Sequence, residues 1–419
     1  MRITLGALGT RGDVEPAIAL SKGLQAAGHE VLVVAGSNFE GWVRAHGLAF
    51  APTLDMETLM KSPNGIAWAA EPNQFRQLGY MRVLLDEFGD QMAEPLIAAS
   101  EGADLLLGGF VAEPYVQTLS ERFRVPQINI PLQPYRATRS GPASLVSFFK
   151  RSDSPLNYLA GWLSEGLIWG VAAESVNRLR ARLGLPPHNG RSYRRAAHQI
   201  PIAYGFSRHV VPPGTDWGAQ QQVGGYWFLD EHPDWTPPGP LLDFLSAGEP
   251  PIYIGFGSMT HSDPRATFDL IVDALALTGQ RAIVLRGWAG LDTEDAPHNI
   301  YLIDGAPHRW LFEHVAGVVH HGGAGTTAAS LRAGKPTQII PHMADQPYWG
   351  DRIAQIGVGP KALPLSKLTA AKLARGIYRL IDDDSMRARA ARLGEQIRAE
   401  DGVANSVRII ERIMLAHFA

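Results

Sequence analysis

The order of apolar and polar positions along the chain predicts an alternation of strands and helices. An apolar run at residues 2–7 leads into a glycine-rich loop, and residues 13–27 then carry apolar positions at helical spacing. Further strands are predicted at 29–35, 104–107 and 127–130, where short runs are apolar or rich in β-branched residues. Strands that alternate with helices favour a parallel sheet with helices on both faces. The first half of the chain is therefore predicted to be a doubly wound α/β domain.

A second series of the same kind begins after residue 250. Its strands are predicted at 251–256, 281–285, 300–303, 317–320 and 337–340. The densest proline run of the chain lies between the two series and predicts an interdomain linker. The predicted limits are a first domain at 1–211, a linker at 212–250, a second domain at 251–385 and terminal helices at 386–419.

Composition narrows the function classes. The 419 residues are 45% hydrophobic and 19% charged, which is typical of a folded protein. A net charge of −3 argues against nucleic acid as a partner, because phosphate-backbone binding needs a basic surface. The chain has no cysteine, so disulfides, thiolate metal sites and cysteine nucleophiles are excluded.

The chain shows no pattern typical of export or of membrane insertion. The apolar run at 1–8 is short, and Arg11 and Asp13 interrupt it, which argues against a signal peptide. No stretch reaches the roughly 18 apolar residues of a transmembrane helix. We therefore expect a cytoplasmic protein. Peripheral contact with a membrane stays open, as does the choice between a monomer and a homodimer.

A glycine turn after the strand at 317–320 predicts an anion site. Free backbone N–H groups and the positive end of the helix dipole converge where such a turn opens a helix. His321 adds a donor at the end of the strand, and Thr326 can either cap the helix or bind a phosphate oxygen. Asp345 and Gln346 form a polar pair in an otherwise apolar run. A ligand with a phosphate and several hydroxyls would fit these groups.

Several separated motifs resemble one superfamily of enzymes. The run VVHHGGAGTTAASLRAGKPT at 318–337, together with PHMADQPYW at 341–349 and IGV at 356–358, resembles the nucleotide-sugar signature of the inverting UDP-glycosyltransferase-like superfamily. GTRGDVEP at 9–16 resembles the acceptor-side motif of two branches, the sterol glucosyltransferases and the bacterial glycosyltransferases of glycopeptide antibiotics and other natural products. The resemblance implies an α/β fold of the GT-B type, with two Rossmann-like domains that face each other across a cleft. It also implies that the last helix packs back on the first domain.

The resemblance implies that Asp13 is the catalytic base. Many members have histidine at this position, and a carboxylate can equally accept the proton of an attacking hydroxyl. The alternative interpretation is a plain helix cap, since aspartate at the start of a helix binds free N–H groups. The aspartate that pairs with histidine in other branches is absent, because glycine stands there in the segment 107–113. Glu113 is more simply interpreted as a helix-start residue.

The donor site is also implied by the resemblance. Its diphosphate-binding residues are expected to be Arg11, Ser258, His321, Gly323, Ala324, Gly325 and Thr326. Asp345 and Gln346 would bind the sugar hydroxyls, although a turn cap before Pro347 is the alternative. Nucleoside contacts are expected from Arg286, Trp288 and Ala306, with Trp288 equally suited to a core. Without an Asp-x-Asp motif at a strand end, we expect no metal and no cofactor apart from the co-substrate, UDP-glucose or a dTDP-sugar.

Aromatic residues of the first domain suggest where a lipophilic acceptor binds. The candidates are Trp68, Phe75, Phe148 and Trp162. Aromatic residues are also what any helical core contains, so both interpretations stay open.

The sequence thus predicts an inverting, metal-independent transfer of a hexose, glucose from UDP-glucose, to a hydroxyl of a lipophilic acceptor such as a sterol. The segments 331–337 and 345–352 look closest to the sterol branch. The alternatives are a tailoring enzyme that glycosylates a polyketide, glycopeptide or carotenoid, a nucleotide-sugar epimerase, and a silent nucleotide-sugar-binding partner protein. A dinucleotide-dependent oxidoreductase is disfavoured, because glycines at 6, 9 and 12 do not form G-x-G-x-x-G.

Overall fold

The structure is a computed structural model that describes residues 1–71, 73–141, 143–145, 153–230, 235–256, 264–286 and 296–418. The chain divides into two compact units. The first unit comprises Met1–Leu229 and Glu400–Ala419, and the second comprises Asp230–Ala399. Each unit is built on a parallel sheet, so the predicted α/β class is confirmed.

The sheet of the first unit has seven parallel strands in the order β3-β2-β1-β4-β5-β6-β7. The strands are β1 Arg2–Gly6, β2 Glu30–Gly36, β3 Ala49–Thr53, β4 Leu105–Gly108, β5 Gln127–Asn129, β6 Ile202–Tyr204 and β7 Gln221–Val223. The strand order reverses between β1 and β4. Loops that leave the carboxyl ends of strands at such a switch point open a crevice in which ligands bind.

The sheet of the second unit has five parallel strands in the order β10-β9-β8-β11-β12. The strands are β8 Ile252–Gly255, β9 Ala282–Leu285, β10 Ile300–Ile303, β11 Gly317–His320 and β12 Thr337–Ile339. The order reverses between β8 and β11, where Gly255 lies beside His320. The glycine turn that follows His320 therefore leaves the sheet at its switch point.

Helices connect the strands in both units. In chain order they are α1 Arg11–Ala26, α2 Glu40–Ala45, α3 Met56–Lys61, α4 Pro63–Ala70, α5 Gln74–Ser100, α6 Glu113–Phe123, α7 Pro155–Arg182, α8 Gly190–Ala197, α9 Gly239–Ser246, α10 Pro264–Thr278, α11 His308–Glu313, α12 Ala324–Arg332, α13 Gln346–Gln355, α14 Ala370–Asp382, α15 Asp384–Ala399 and α16 Gly402–Phe418. Short 3-10 helices occur at Ser37–Phe39 and Leu365–Lys367. Within the described residues, no helix is both long enough and apolar enough to span a bilayer.

The last helix belongs to the core of the first unit. Val407, Ile410 and Met414 of α16 are buried in the same cluster as the apolar residues of β1 and α1. The approach is close at Gly23, where an added Cβ would overlap the side chain of Val403. A glycine on α1 thus lets the two helix backbones come near each other.

The range 212–250, for which the sequence predicts a linker, contains regular structure in both units. It includes β7 at the edge of the first sheet and α9 in the second unit, and the units divide between Leu229 and Asp230. Helix α15, predicted to lie with the terminal helices, belongs to the second unit. In this range Pro238 is the N-cap of α9 and Pro240 lies in its first turn, where a missing N–H costs little.

Candidate active site

Asp13 lies where β1 turns into the first helix. Thr10 is the N-cap of α1, and its backbone N–H donates to Asp13 Oδ2 at 2.9 Å, while its hydroxyl receives the Gly12 N–H at 3.3 Å. The side chain of Asp13 folds back over the turn as the second half of a capping box. Gly9 has φ +150° and lies directly against this carboxylate, so an added Cβ would overlap Oδ2.

A pocket in the first unit holds the Asp13 carboxylate against apolar walls. It contains about 370 Å³ of empty space, open solvent included. Its lining residues are Leu5, Gly6, Ala7, Leu8, Asp13, Pro16, Ala17, Gly109, Phe110, Ile130, Leu132, Gln133 and Trp227. Most of these residues stand at or just beyond the carboxyl ends of β1, β4 and β5. The pocket therefore occupies the crevice at the switch point of the first sheet.

The environment of Asp13 shifts its proton affinity. Burial raises the pKa of Asp13 to about 6, and the two hydrogen bonds from Thr10 act in the opposite direction. The side chain is only half-buried, so it remains accessible from the pocket. A carboxyl group with this pKa is mostly ionised near neutral pH and can accept a proton.

Two walls of the pocket are held by distant parts of the first unit. Trp227 donates its indole N–H to the hydroxyl of Ser406, on α16, at 2.7 Å. The segment that follows β5 is held by Arg136, which forms a buried ion pair with Glu113 at 2.7 Å and donates to the Ala197 carbonyl at 2.9 Å. Glu113 is thus part of a structural ion pair.

Sequence reasoning missed the residues that form these walls. Phe110 lies two residues after the end of β4, and its position after a predicted strand was the available signal. Trp227 lies in the range predicted to be a linker, so no local signal pointed to it. Trp68 is half-buried on α4 and Trp162 is largely exposed on α7, and neither is among the pocket-lining residues that the structure describes. Phe148 lies outside the described residues, as does the side chain of Phe75.

The two adjacent histidines at the end of β11 have different surroundings. His320 is fully buried, and its Nδ1 accepts the Gly322 N–H at 3.0 Å, which fixes the shape of the turn. Burial holds the pKa of His320 well below its ordinary value. His321 is only partly buried, and burial lowers its pKa to about 4, while the Gly255 carbonyl acts in the opposite direction. Both imidazoles are therefore neutral at pH 7.

The turn after His321 leaves the start of α12 open. Gly323 is the N-cap and has no side chain with which to cap the helix, and Ala324, Gly325 and Thr326 form the first turn. All four residues are partly accessible. Free N–H groups at such a helix start attract anions. An added Cβ at Gly323 would lie 2.6 Å from His321 Nε2, so this glycine gives the imidazole its room.

Gln346 packs directly against the glycine turn. Gly322 has φ +100°, and an added Cβ there would lie 3.1 Å from the Cβ of Gln346. Gln346 Oε1 accepts the N–H groups of His342 and Met343 at 2.7 and 3.1 Å, which closes the turn before α13. Asp345 Oδ2 accepts the indole N–H of Trp349 at 2.7 Å. The structure thus places His321, Asp345 and Gln346 at neighbouring strand ends of one sheet.

The remaining donor-site candidates are spread more widely. Arg286 follows β9 and pairs with Asp304, after β10, at 3.2 Å, and Ala306 lies on the same loop as Asp304. Ser258 and Trp288 lie outside the described residues. Arg11 is exposed, pairs with Glu15 at 2.9 Å and lies 4.9 Å from the centre of the Trp42 ring.

No potential metal site is formed in the part of the chain that the structure describes, where no three His, Cys, Asp or Glu side chains are grouped together. Metal-independent catalysis stays a prediction.

Two family profiles match the chain, one in each half. Residues 3–92 match the glycosyltransferase family 28 N-terminal domain, and residues 270–413 match the C-terminal domain described as erythromycin biosynthesis protein CIII-like.

Relatives match along nearly the whole chain. A sterol 3-beta-glucosyltransferase of Arabidopsis thaliana is 34% identical over 422 residues, which cover 98% of this chain and 68% of that protein. This chain belongs to the glycosyltransferase family of the sterol 3-beta-glucosyltransferases. The family resemblance inferred from the sequence is thereby confirmed.

Other members of this glycosyltransferase family are much longer. The sterol 3-beta-glucosyltransferase of Emericella nidulans is 35% identical over 428 residues, which cover 98% of this chain but only 30% of that protein. The chain spans about a third of the length of such fungal relatives.

Solved structures of GT-B glycosyltransferases share the fold. The calicheamicin glycosyltransferase CalG4 matches with a TM-score of 0.69 and 18% identity, over 100% of this chain and 99% of that one. The glycosyltransferase SsfS6 of Streptomyces sp. SF2575, solved with thymidine diphosphate, matches with a TM-score of 0.61 and 22% identity over 98% and 99% of the two chains. The predicted GT-B fold is confirmed.

Proposed function

We propose that this glycosyltransferase moves glucose from UDP-glucose to the hydroxyl of a sterol-like acceptor, with inversion and without a metal. The observation that carries the proposal is the position of Asp13, a half-buried carboxylate with a raised pKa on the wall of an apolar pocket. The sterol-acting relatives support a flat, lipophilic acceptor, because they match over 98% of the chain.

The proposed reaction is a single displacement at the anomeric carbon. The acceptor oxygen forms the new bond to that carbon from the face opposite the nucleotide, and Asp13 takes the hydroxyl proton as the bond forms. The bond between the anomeric carbon and the diphosphate breaks, and its electron pair leaves with UDP. Because attack and departure are on opposite faces, the configuration inverts.

The glycine turn of the second unit would stabilise the departing diphosphate. The open N–H groups of Gly325 and Thr326 and the dipole of α12 favour negative charge. His321 would add a neutral hydrogen-bond donor, since its pKa of about 4 leaves it uncharged. The stabilisation thus comes from dipoles held in place by the fold rather than from a histidine cation.

Asp345 and Gln346 would bind the hexose hydroxyls. Gln346 Oε1 is already used by the turn, which leaves the amide N–H groups as the donors that face a sugar. Asp345, whose Oδ2 accepts the indole N–H of Trp349, would accept a hydrogen bond from a sugar hydroxyl. Arg286 and Ala306 are proposed to lie along the nucleoside, and Arg11 to reach the diphosphate. A dTDP-sugar is the alternative to UDP-glucose as the donor.

The test follows product formation directly. The purified chain is incubated with UDP-glucose or dTDP-glucose and with cholesterol solubilised in cyclodextrin, with and without EDTA. We expect a steryl glucoside by mass spectrometry with UDP-glucose, unchanged by EDTA, and a β-anomeric proton by NMR. A polyketide or carotenoid acceptor that is used in place of sterols would instead support the tailoring enzyme.

Three outcomes would contradict the proposal. Loss of activity in EDTA would show that catalysis needs a metal ion. An α-anomeric product would show that the configuration at the anomeric carbon is retained. Donor binding without transfer to any acceptor would favour the silent binding partner. As a matched pair, Asp345→Asn should weaken sugar binding while still accepting from Trp349, whereas Asp351→Asn on the same helix should leave the donor KM unchanged.

A further inference from the structure

One face of α7 exposes a stripe of large apolar side chains. They are between 41% and 51% exposed and are Leu156, Tyr158, Leu159, Trp162, Leu163 and Leu167. Spacings of three and four residues place most of them on one side of the helix. We call this set the α7 face. Contiguous apolar surface of this kind marks a site of contact with a partner or a membrane.

The α7 face carries no exposed charge. Glu165 is the single charged residue between positions 154 and 170, and its side chain is only 5% exposed. The later part of the same helix is different, because Glu174, Arg178 and Arg182 lie on its surface and form ion pairs with Arg82 and Asp90 of α5. The apolar surface is therefore confined to the first half of α7.

A basic flank adjoins the α7 face. The guanidinium of Arg194, on α8, lies 4.3 Å from the centre of the Trp162 ring and donates to the Trp162 carbonyl at 3.1 Å. Arg191 and Arg195 of the same helix are exposed, and α8 contains no acidic residue. An apolar stripe with Trp and Leu beside clustered arginines is typical of helices that lie in the headgroup layer of anionic membranes.

We propose that the α7 face binds the surface of an anionic lipid bilayer, with Arg191 and Arg195 against the headgroups and the leucines among the upper acyl chains. Charge complementarity favours this occupant over a second copy of the chain. In a two-fold contact through the same face, the second copy would bring its own α8 arginines but no exposed acidic residue of the α7 face to pair with them.

The α7 face lies on a helix that also supports the acceptor pocket. Its buried side receives the segment after β5: the Ala137 N–H donates to Glu165 Oε1 at 2.9 Å, and Asn157 Nδ2 donates to the Arg139 carbonyl at 3.0 Å. Leu132 and Gln133 at the start of that segment line the pocket. A membrane at the α7 face would therefore lie one helix away from the pocket wall. This inference deepens the proposed function. A benefit of membrane binding to catalysis rests on that function, because the proposed acceptor, a sterol, resides in the bilayer.

Vesicle binding without any donor tests the contact itself. The full chain is floated with vesicles of phosphatidylcholine, with or without phosphatidylserine. We expect binding to the anionic vesicles, and a loss of about tenfold or more in Leu159→Glu/Leu163→Glu, because both side chains would enter the interface. Arg191→Glu/Arg195→Glu should lose a similar factor, and added salt should weaken binding of the wild type. The control Leu277→Glu/Leu415→Glu alters two exposed leucines elsewhere and should bind as the wild type does.

A second measurement does not depend on any variant. Hydrogen exchange of the wild type should show new protection at residues 155–170 when anionic vesicles are added. The proposal is wrong if the wild type binds neither type of vesicle, or if the control Leu277→Glu/Leu415→Glu loses as much binding as the α7 variant Leu159→Glu/Leu163→Glu. It is also wrong if the α7 variant differs from the wild type only in its oligomeric state. Transfer to cyclodextrin-solubilised sterol should be unchanged in the α7 variant, so failure of the contact is distinguishable from failure of the proposed function.

Discussion

The two strand–turn–helix loops of this protein differ in what occupies the start of the helix. At α1 the first N–H groups are satisfied from within, because Thr10 and Asp13 form a capping box. At α12 the N-cap is Gly323, which supplies no side chain. One local motif can therefore hold a carboxylate of the protein or leave room for the anion of a ligand. The first arrangement suits a base, and the second suits a leaving diphosphate.

Burial acts on the two loops with opposite consequences for charge. It raises the pKa of Asp13 to about 6 and lowers the pKa of His321 to about 4, in each case toward the neutral form. At pH 7 the shift of Asp13 is too small to neutralise the carboxylate, whereas His321 is neutral. The difference leaves a charged carboxylate in one loop and an uncharged imidazole in the other.

The largest expected effect is that of removing the proposed base, Asp13. Asp13→Asn keeps an oxygen that can accept from Thr10 but cannot take a proton, so kcat should fall roughly a thousandfold while UDP affinity is unchanged. Initial rates and calorimetric titration with UDP check both halves of the statement. Glu15→Gln, two positions further along α1, is the control and should retain activity. A rate within tenfold of the wild type would leave Asp13 as a helix cap only.

The second effect concerns the donor in the other loop. His321→Ala should lower kcat by about a hundredfold, because one fixed donor to the developing charge is lost. UDP affinity should also weaken, in contrast to Asp13→Asn. His298→Ala, at an exposed position of the second unit, is the control. If His321→Ala were as active as this control, the glycine turn would not contact the leaving group through its histidine.

Two glycine pairs sharpen the comparison, since each loop offers a crowded glycine and an open one, Gly9 and Gly12 in the first and Gly323 and Gly325 in the second. An added Cβ would meet the carboxylate of Asp13 at Gly9 and the imidazole of His321 at Gly323, whereas at Gly12 the nearest contact is 3.6 Å away and at Gly325 none lies within 4 Å. We expect Gly9→Ala to lower kcat and Gly323→Ala to weaken UDP binding, each on the order of tenfold or more, through displacement of the neighbouring group. Gly12→Ala and Gly325→Ala should stay close to the wild type. Equal effects within a pair would show that crowding is not the reason for the glycine.

The pH dependence of the rate separates the two titrating groups. In the proposed mechanism activity needs ionised Asp13, so kcat/KM should be level above about pH 7 and fall about tenfold per unit below pH 6. His321 should add no inflection between about pH 5 and 8, because its pKa is about 4. A profile that is flat from pH 5 to 8 would contradict the shifted pKa of Asp13.

The smallest expected effect is on stability. The folded-state pKa of Asp13 is above its ordinary value of 3.8, so its ionisation destabilises the fold, and this cost grows as pH rises from about 4 to 6. Asp13→Asn should therefore raise the melting temperature at pH 8 by roughly 2 °C. The difference should disappear near pH 4, where the wild-type carboxyl is protonated in the folded state. A lower melting temperature at pH 8 would mean that the carboxylate stabilises the helix more than burial penalises it.

Local patterns were enough to find the elements of both loops. Each is a buried strand, a glycine turn and an amphipathic helix within about 25 residues, so the chemistry that shapes it is short-range. The range 212–250 was harder, because its prolines are typical of a linker and equally typical of the ends of short elements. β7 forms because it can pair with β6 at the edge of the first sheet, and no local sequence pattern predicts that this edge is available.

The sequence by itself determined the fold class and the two parallel sheets, because periodicity is a property of neighbouring residues. The family resemblance of its motifs singled out Asp13, His321, Asp345 and Gln346 as candidates. The tertiary structure alone decided the pocket wall, where Trp227 is held by Ser406, 179 positions away. It also decided the protonation states of Asp13 and His321. Burial depends on what the rest of the chain packs against a group, and that is set by contacts between residues distant in sequence.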